Sequence, residues 1–302
     1  MSIKSFSELQ EKVTKLKPVK VAVAAAEDQK VVEGVKAAIE VGIINGAILT
    51  GKSDVIEEIV EKVGMSKADV DIRHANSDPE AAYLAVKSIN DNEAHFLAKG
   101  RLETLYYLKA ILNDENGIKA SKLLSNITVF EMESYHKLIG VTDNAILPLP
   151  TLDQKVGIIK NTKSLFTSLG IDMPKVAALA AVEIVNPKMQ TTVDAACLAK
   201  MADRGQIKGF TVDGPLAYDV AISLECAKGK KLNNLSVAGD PDLLLCPNLE
   251  AANILGKSYK AHGHSKSGGL VLGARVPVVL NSRSDTADLR LNSFLLARAM
   301  LG

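Results

Sequence analysis

Several motifs that carry familiar chemistry are missing from this chain. No GxxxxGK-S/T run and no GxGxxG turn follows any apolar stretch, which excludes two glycine-rich ways of cradling phosphate. No GxSxG elbow is present, so nothing supports a Ser-His-Asp nucleophile. Cysteine is scarce: Cys197, Cys226 and Cys246 are odd in number and form no CxxC pair. That pattern favours buried thiols in a reducing compartment over disulfides or zinc. No apolar run reaches membrane-spanning length, because Glu183 interrupts the stretch from Val176 to Val185. The first residues, Met1 to Phe6, lack the charged-then-apolar order of a secretory signal. Net charge is almost absent, with 36 Lys and Arg against 35 Asp and Glu leaving +1. A nucleic acid or an anionic membrane is therefore not the expected partner, and any anion site must be a local cluster. These absences together describe a soluble cytoplasmic protein.

What is present is a regular alternation of short β-branched runs with amphipathic stretches. Strands are expected at Val19–Ala26, Gly46–Thr50, Val70–Ile72 and His95–Ala98, then at Ile127–Phe130 and Leu138–Val141. After Pro148-Leu149-Pro150 the alternation restarts, with strands at Val176–Ala181, Gly209–Val212, Leu243–Cys246, Gly269–Leu272 and Val276–Leu280. Helices fill the intervals, among them Val156–Leu169, Thr191–Asp203, Ala217–Ala227 and Asp288–Met300. Such alternation gives βαβ units and a mainly parallel sheet. A length of 302 residues exceeds one ordinary core, so two α/β domains are expected. The reading places the first at 1–138 with a returning segment 286–302, and the second at 139–285.

The candidate chemistry lies where apolar strands end. Val276–Leu280 stops in Asn281-Ser282-Arg283-Ser284-Asp285. In open α/β sheets ligands bind beyond the carboxyl ends of strands, and a Ser-Arg pair there suits a phosphate or acyl phosphate. Arg forks two oxygens, and Ser adds a hydroxyl donor. The competing reading is a helix cap beside a surface ion pair. Lys99-Gly100 also follows a strand, with Thr104 one turn into the next helix, so a cation and a hydroxyl can share a face. Thr142-Asp143 and Asp213-Gly214-Pro215 repeat the pattern, though each is equally a good strand-to-helix turn. Lys260 to Gly269 reads as a flexible basic loop that suits phosphates, or as a solvated surface loop. His262 and His264 would share a face on a strand, but no third ligand accompanies them, so no metal site is assigned.

Taken in order, several marks resemble the phosphate acetyl/butyryltransferase family, and within it the butyryl branch. They are Val21-Ala22-Val23-Ala24, Lys99-Gly100, Val129-Phe130-Glu131, Thr142-Asp143, Val182-Glu183 and Asn186-Pro187-Lys188-Met189. Asp194-Ala195-Ala196, Asp203 to Gly209, Val212 to Ala217 with Asp219, Pro247-Asn248, Gly268-Gly269, Pro277 and Ser282-Arg283 continue the match. The resemblance implies two three-layer α/β/α domains of isocitrate-dehydrogenase-like architecture, usually dimeric, with the active site in the interdomain cleft. It implies reversible transfer of a short acyl group, butyryl favoured, between coenzyme A and orthophosphate. The partners are then acyl-CoA, orthophosphate and acyl phosphate, with no permanently bound cofactor and coenzyme A as substrate.

By the same resemblance Arg283 binds phosphate, Ser282 donates a hydrogen bond, and a carboxylate downstream is the base. Lys99, Thr104, Thr142, Asp143, Asp213, Gly214, Lys260 and Gly268 are the substrate-binding candidates. Relatives carry two adjacent acids after the Ser-Arg pair, whereas here Leu289 stands where the second would be. Asp288 occupies the first position, and Asp285 is the nearer alternative. Acetyl transfer is the runner-up activity. A metal-dependent decarboxylating dehydrogenase and a non-catalytic acyl-CoA-binding protein are more distant rivals.

Overall fold

A computed structural model describes residues 2–232 and 236–302, leaving Met1 outside the described residues. In chain order the elements are α1 (Phe6–Val13), β1 (Val19–Ala24), α2 (Gln29–Glu40), β2 (Ile44–Gly51), α3 (Ser53–Lys62), β3 (Val70–His74), α4 (Asp78–Asn90), β4 (Phe96–Lys99) and α5 (Thr104–Ile111). Then follow β5 (Ser125–Glu131), β6 (Ile139–Thr142), α6 (Leu152–Asn161), α7 (Lys163–Ser168), β7 (Lys175–Leu179), α8 (Gln190–Asp203), β8 (Thr211–Leu216), α9 (Tyr218–Ile222) and α10 (Leu224–Gly229). β9 (Leu243–Leu245), α11 (Leu249–Ala261), β10 (Lys266–Leu272), β11 (Val278–Val279) and α12 (Ala287–Met300) complete the chain. No helix among the described residues is long and apolar enough to cross a membrane.

Contacts divide the chain into two compact units, Phe6–Ser121 with Ser267–Gly302, and Met1–Ser5 with Lys122–Lys266. The crossings at 121 and 266 differ from the expected 138 and 285. The reason is local: β10 forms an antiparallel pair with β11, and β11 runs parallel to β4, so the whole returning hairpin joins the first unit.

In that unit the strand order is β3-β2-β1-β4-β11-β10, parallel except for β10. The strands read as continuous apolar runs because helices cover the sheet. Ala22, Val23, Phe96, Leu97 and Val278 are fully buried. α12 contributes Phe294, whose ring meets Phe96 edge-on at 5.5 Å between centroids. Ser77 caps α4 by accepting from the Glu80 N–H, and Pro79 stands in the first turn without losing a bond. β11 is only two residues long, shorter than expected, since Pro277 has no N–H to extend the ladder.

The other unit holds β5-β6-β9-β7-β8, with β5 antiparallel and the rest parallel. Two expected helices are broken there. The first starts earlier, at a capping box between Thr151 and Gln154, and is interrupted at Thr162. The second splits at Ser223, whose extended backbone and hydroxyl cap α10. Both units are α/β with mixed sheets.

Candidate functional site

Strand order locates the site. From β1 the chain moves outward through β2 to β3, then returns to place β4 on the opposite side of β1. The carboxyl ends of β1 and β4 therefore flank a topological switch point, where open α/β sheets bind ligands. Register pairs Ala24 with Lys99 across that point. Gly100 follows, and its N–H donates to Ala24 O at 2.8 Å. A Cβ at Gly100 would lie 1.9 Å from Ala25 O, so only glycine lets the two strand ends approach this closely.

β11 lies parallel to β4 with Val279 beside Ala98, so the residues after β11 emerge next to Lys99. This brings Ser282 and Arg283 to the same strand ends as Lys99. The turn that presents them is braced from within. Asp285 is buried, and its Oδ2 accepts from Ser282 N at 3.0 Å and from Asn281 Nδ2 at 3.1 Å. Asn281 also donates to Ser293 Oγ at 3.0 Å, and that hydroxyl accepts from Gly269 N at 2.9 Å. Thr286 caps α12. The hydroxyls of Ser282 and Ser284 are 3.0 Å apart and exposed. Of the two acids proposed as base, Asp285 is thus a brace for the turn. Asp288 is exposed in the first turn of α12, where a carboxylate also favours the helix N-terminus.

Three cations gather at this end of the sheet. Lys99 is 5% exposed, and among the described residues its ammonium donates only a 3.4 Å bond to Gly100 O. Burial, then Arg283 and Arg290, push its amine down to about 8, against a weaker opposing pull from Asp78. Arg283 is exposed, and no carboxylate pairs with it among the described residues. Arg290 is not among the sequence candidates. It is 4% exposed, donates Nη2 to Ser282 O at 3.3 Å, and leaves its buried Nε without a partner. Burial lowers the guanidinium's basicity, while Asp28 and Asp285 partly offset this. A glycine admits it: a Cβ at Gly34 on α2 would meet Arg290 Cβ at 3.0 Å. A signal for Arg290 existed, since it falls in phase with Phe294 and Ala297 on the buried stripe of α12.

An arrangement of this kind is suited to an anion. Two guanidiniums and an ammonium, with no hydrogen-bonded carboxylate among the described residues, concentrate positive charge at a partly dry strand end. Hydroxyl donors on Ser282 and Ser284 add directional bonds.

The remaining sequence candidates divide by unit. Thr104 opens α5 instead of standing one turn inside it, and is half-buried. Gly268 lies in β10 under α12, where a Cβ would come within 2.8 Å of Leu296 Cδ1, so its smallness serves packing. Thr142 and Asp143 belong to the other unit and are tied into its backbone. Thr142 Oγ1 donates to Asn126 O at 2.6 Å. Asp143 accepts from Asn126 N, Ala145 N and Ile146 N, all within 2.9 Å. Burial raises its carboxyl despite those bonds. The structure gives both residues a bracing role.

Asp213 and Gly214 sit inside β8, not at a helix start. The strand runs on through Pro215 to Leu216, and α9 begins only at Tyr218. Burial raises the Asp213 carboxyl, and its Oδ1 accepts from the next N–H. Lys260 lies in the last turn of α11, and Lys266 opens β10 and pairs with Glu131 at 2.8 Å. The expected flexible basic loop therefore shrinks to four residues, 262–265. His262 and His264 stand in that turn rather than on a strand, and no metal-holding group of three His, Cys, Asp or Glu occurs among the described residues. The cysteines are free thiols, with burial raising Cys246 to about 12.

A family model described as phosphate acetyl/butaryl transferase matches residues 50–298. The chain is 42% identical over 294 residues to a phosphate butyryltransferase of Clostridium beijerinckii, covering 97% of each. It is 38% identical over 278 residues to a phosphate acetyltransferase of Thermotoga maritima, covering 92% of this chain and 94% of the relative. Among solved structures, a branched-chain phosphotransacylase from Enterococcus faecalis matches with a TM-score of 0.81 at 30% identity. That match spans 93% of this chain and 99% of the other.

Proposed function

The chain belongs to the phosphate acetyl/butaryl transferase family, and from that premise we propose that it transfers a short acyl group between coenzyme A and orthophosphate. The reaction is acyl-CoA + phosphate = acyl phosphate + CoA, with butyryl favoured because relatives at 42% identity are phosphate butyryltransferases. Acetyl is the second reading, favoured by the 38% identical phosphate acetyltransferase. The observation that carries the proposal is the gathering of Lys99, Arg283 and Arg290 at the carboxyl ends of β4 and β11 with no hydrogen-bonded carboxylate among the described residues.

The chemistry requires such a place. A phosphate oxygen attacks the thioester carbonyl, the carbonyl oxygen becomes an oxyanion, and the carbon–sulfur bond breaks. Phosphate stays anionic throughout, so Arg283 holds it by two parallel N–H bonds. Ser282 turns its hydroxyl donor toward the oxyanion or the departing sulfur. Arg290 fixes the Ser282 carbonyl from the buried side, and Asp285 fixes the Ser282 N–H, so the hydroxyl is presented in one orientation. Of the two acids of the turn, Asp285 is engaged as a brace and Asp288 faces solvent at the start of α12, so the proton path is left to another group. Thr104 and Lys260 remain assigned to the substrate, as do Asp213 and Gly214. No permanently bound cofactor is invoked. The isocitrate-dehydrogenase-like architecture, a homodimeric state and a cytoplasmic location belong to the same proposal and rest on family likeness.

The test is thiol release from acetyl-, propionyl- and butyryl-CoA, each with and without orthophosphate. Phosphate-dependent release, fastest with butyryl-CoA, is expected. Release that ignores phosphate, or none with any of the three, overturns the reading.

A further inference from the structure

Acyl transfer moves a proton as well as an acyl group, and neither carboxylate of the Ser-Arg turn is well placed to carry it. Asp285 is buried and engaged by Ser282 N and Asn281 Nδ2. Asp288 faces solvent at the start of α12.

Lys99 stands differently. It ends β4 at the switch point, is almost wholly buried, and among the described residues its ammonium has one long bond, to its neighbour's carbonyl. The charged groups facing it come from three places: Arg283 after β11, Arg290 on α12, and Asp78 in the first turn of α4. β1 alongside ends at Ala24; Ala25 and Ala26 follow, then Glu27, which accepts from Lys52 N, and Asp28, which caps α2, while on the loop after β4 Arg101 and Glu103 are exposed. Two cations against one acid, in a dry setting, leave an amine that parts readily with a proton.

We propose that Lys99 relays the proton between the attacking phosphate and the coenzyme A sulfur. The inference rests on the acyl-transfer reading above. In the direction from acyl-CoA, an oxygen of the hydrogen phosphate dianion forms the new carbon–oxygen bond. The carbon–sulfur bond breaks with its electron pair going to sulfur. The Lys99 ammonium protonates the sulfur, and the phosphate hydroxyl reprotonates Lys99, so the lysine ends as it began. The reverse reaction runs through the neutral amine, which takes the thiol proton. An amine near 8 is matched to a thiol whose ordinary value is roughly 8.5, the condition under which acid–base catalysis is efficient.

The rival is a lysine that only attracts phosphate, and charge-preserving substitution separates the two. Butyryl-CoA and orthophosphate are turned over by the full chain between about pH 6 and 10, and kcat and KM are followed separately. In the wild type, kcat/KM for phosphate should fall as pH rises through about 8, because Lys99 must enter protonated. Lys99→Arg keeps the charge but cannot relay, so kcat should drop ~10²-fold while KM for phosphate stays within about threefold, and the fall near 8 should vanish. A variant that keeps kcat within about threefold, or keeps the fall near 8, overturns the relay.

Should Lys99→Arg fail to fold, Lys99→Ala with added primary amines decides. Restored turnover that tracks the basicity of the amine supports the relay, and absence of any restoration overturns it. Wild-type protein lacking phosphate-dependent release would remove the acyl-transfer reading itself, before any variant is made.

Discussion

In one unit Lys137, Lys175 and His136 converge on Asp240 and Asp242; in the other Lys99, Arg283 and Arg290 meet without hydrogen-bonding a carboxylate among the described residues. The first network is complete. Lys137 Nζ lies 2.8 Å from Asp240 and 2.7 Å from Asp242, Lys175 Nζ 2.6 Å and His136 Nε2 2.8 Å from Asp240. Burial pulls the Asp240 carboxyl up, but bonds from Lys137, Lys175 and His136 hold it well below the usual range. His136 and Lys137 lie just before β6, Asp240 and Asp242 just before β9, and Lys175 opens β7, so all stand at the amino ends of their strands. The unneutralised set stands at the carboxyl ends of β4 and β11. Similar side chains thus do different work according to which end of a parallel sheet they occupy. At one end charges cancel and fasten loops; at the other they are left for something that arrives from solution.

The contrast can be broken in four ways. Arg283→Ala should lower phosphate-dependent thiol release by ~10²-fold or more, the cost of losing one donor to a developing charge. Thiol release and circular dichroism on the same sample check it, and full turnover in a folded variant would refute the role. Orthophosphate at a hundred times its dissociation constant should stabilise the wild type by about 2.7 kcal/mol, read as a rise in melting temperature. That rise should disappear in Arg283→Ala and survive in Asp240→Asn. Asp240→Asn should itself reduce stability by about 1 kcal/mol in a urea titration, with kcat unchanged, because a paired network stabilises without touching chemistry. The smallest effect concerns acid. A carboxylate held low contributes stability that is present above about 3.9, its ordinary value, and lost as pH falls toward its folded value. The urea midpoint of the wild type should therefore fall on acidification below that point, and Asp240→Asn should fall less steeply.

Much of the fold was legible because buried parallel strands read as uninterrupted apolar runs, and the stops after Lys99 and before Ser282-Arg283 marked their carboxyl ends. What periodicity could not supply was strand order. That β11 lies beside β4 depends on long-range pairing, so the meeting of Lys99 with Arg283 and the crossings at 121 and 266 were hidden. Helix breaks at Thr162 and Ser223 were missed because each serine or threonine hydroxyl makes a local bond that hydropathy does not register. Asp285 looked like a base in sequence and became a brace, since its partners include a backbone N–H. Arg290 was passed over because an arginine on an apolar stripe reads as an interruption of that stripe.

The missing side chain of Gly34 also constrains how this enzyme can change. Helix α2 gives up a methyl group there, and the space is filled by the stem of Arg290 from the far end of the polypeptide. A directed search for variants that accept a different oxyanion should randomise these two positions as a pair. Enlarging either alone pits helix against helix, whereas shrinking one while enlarging the other gives selection a viable path.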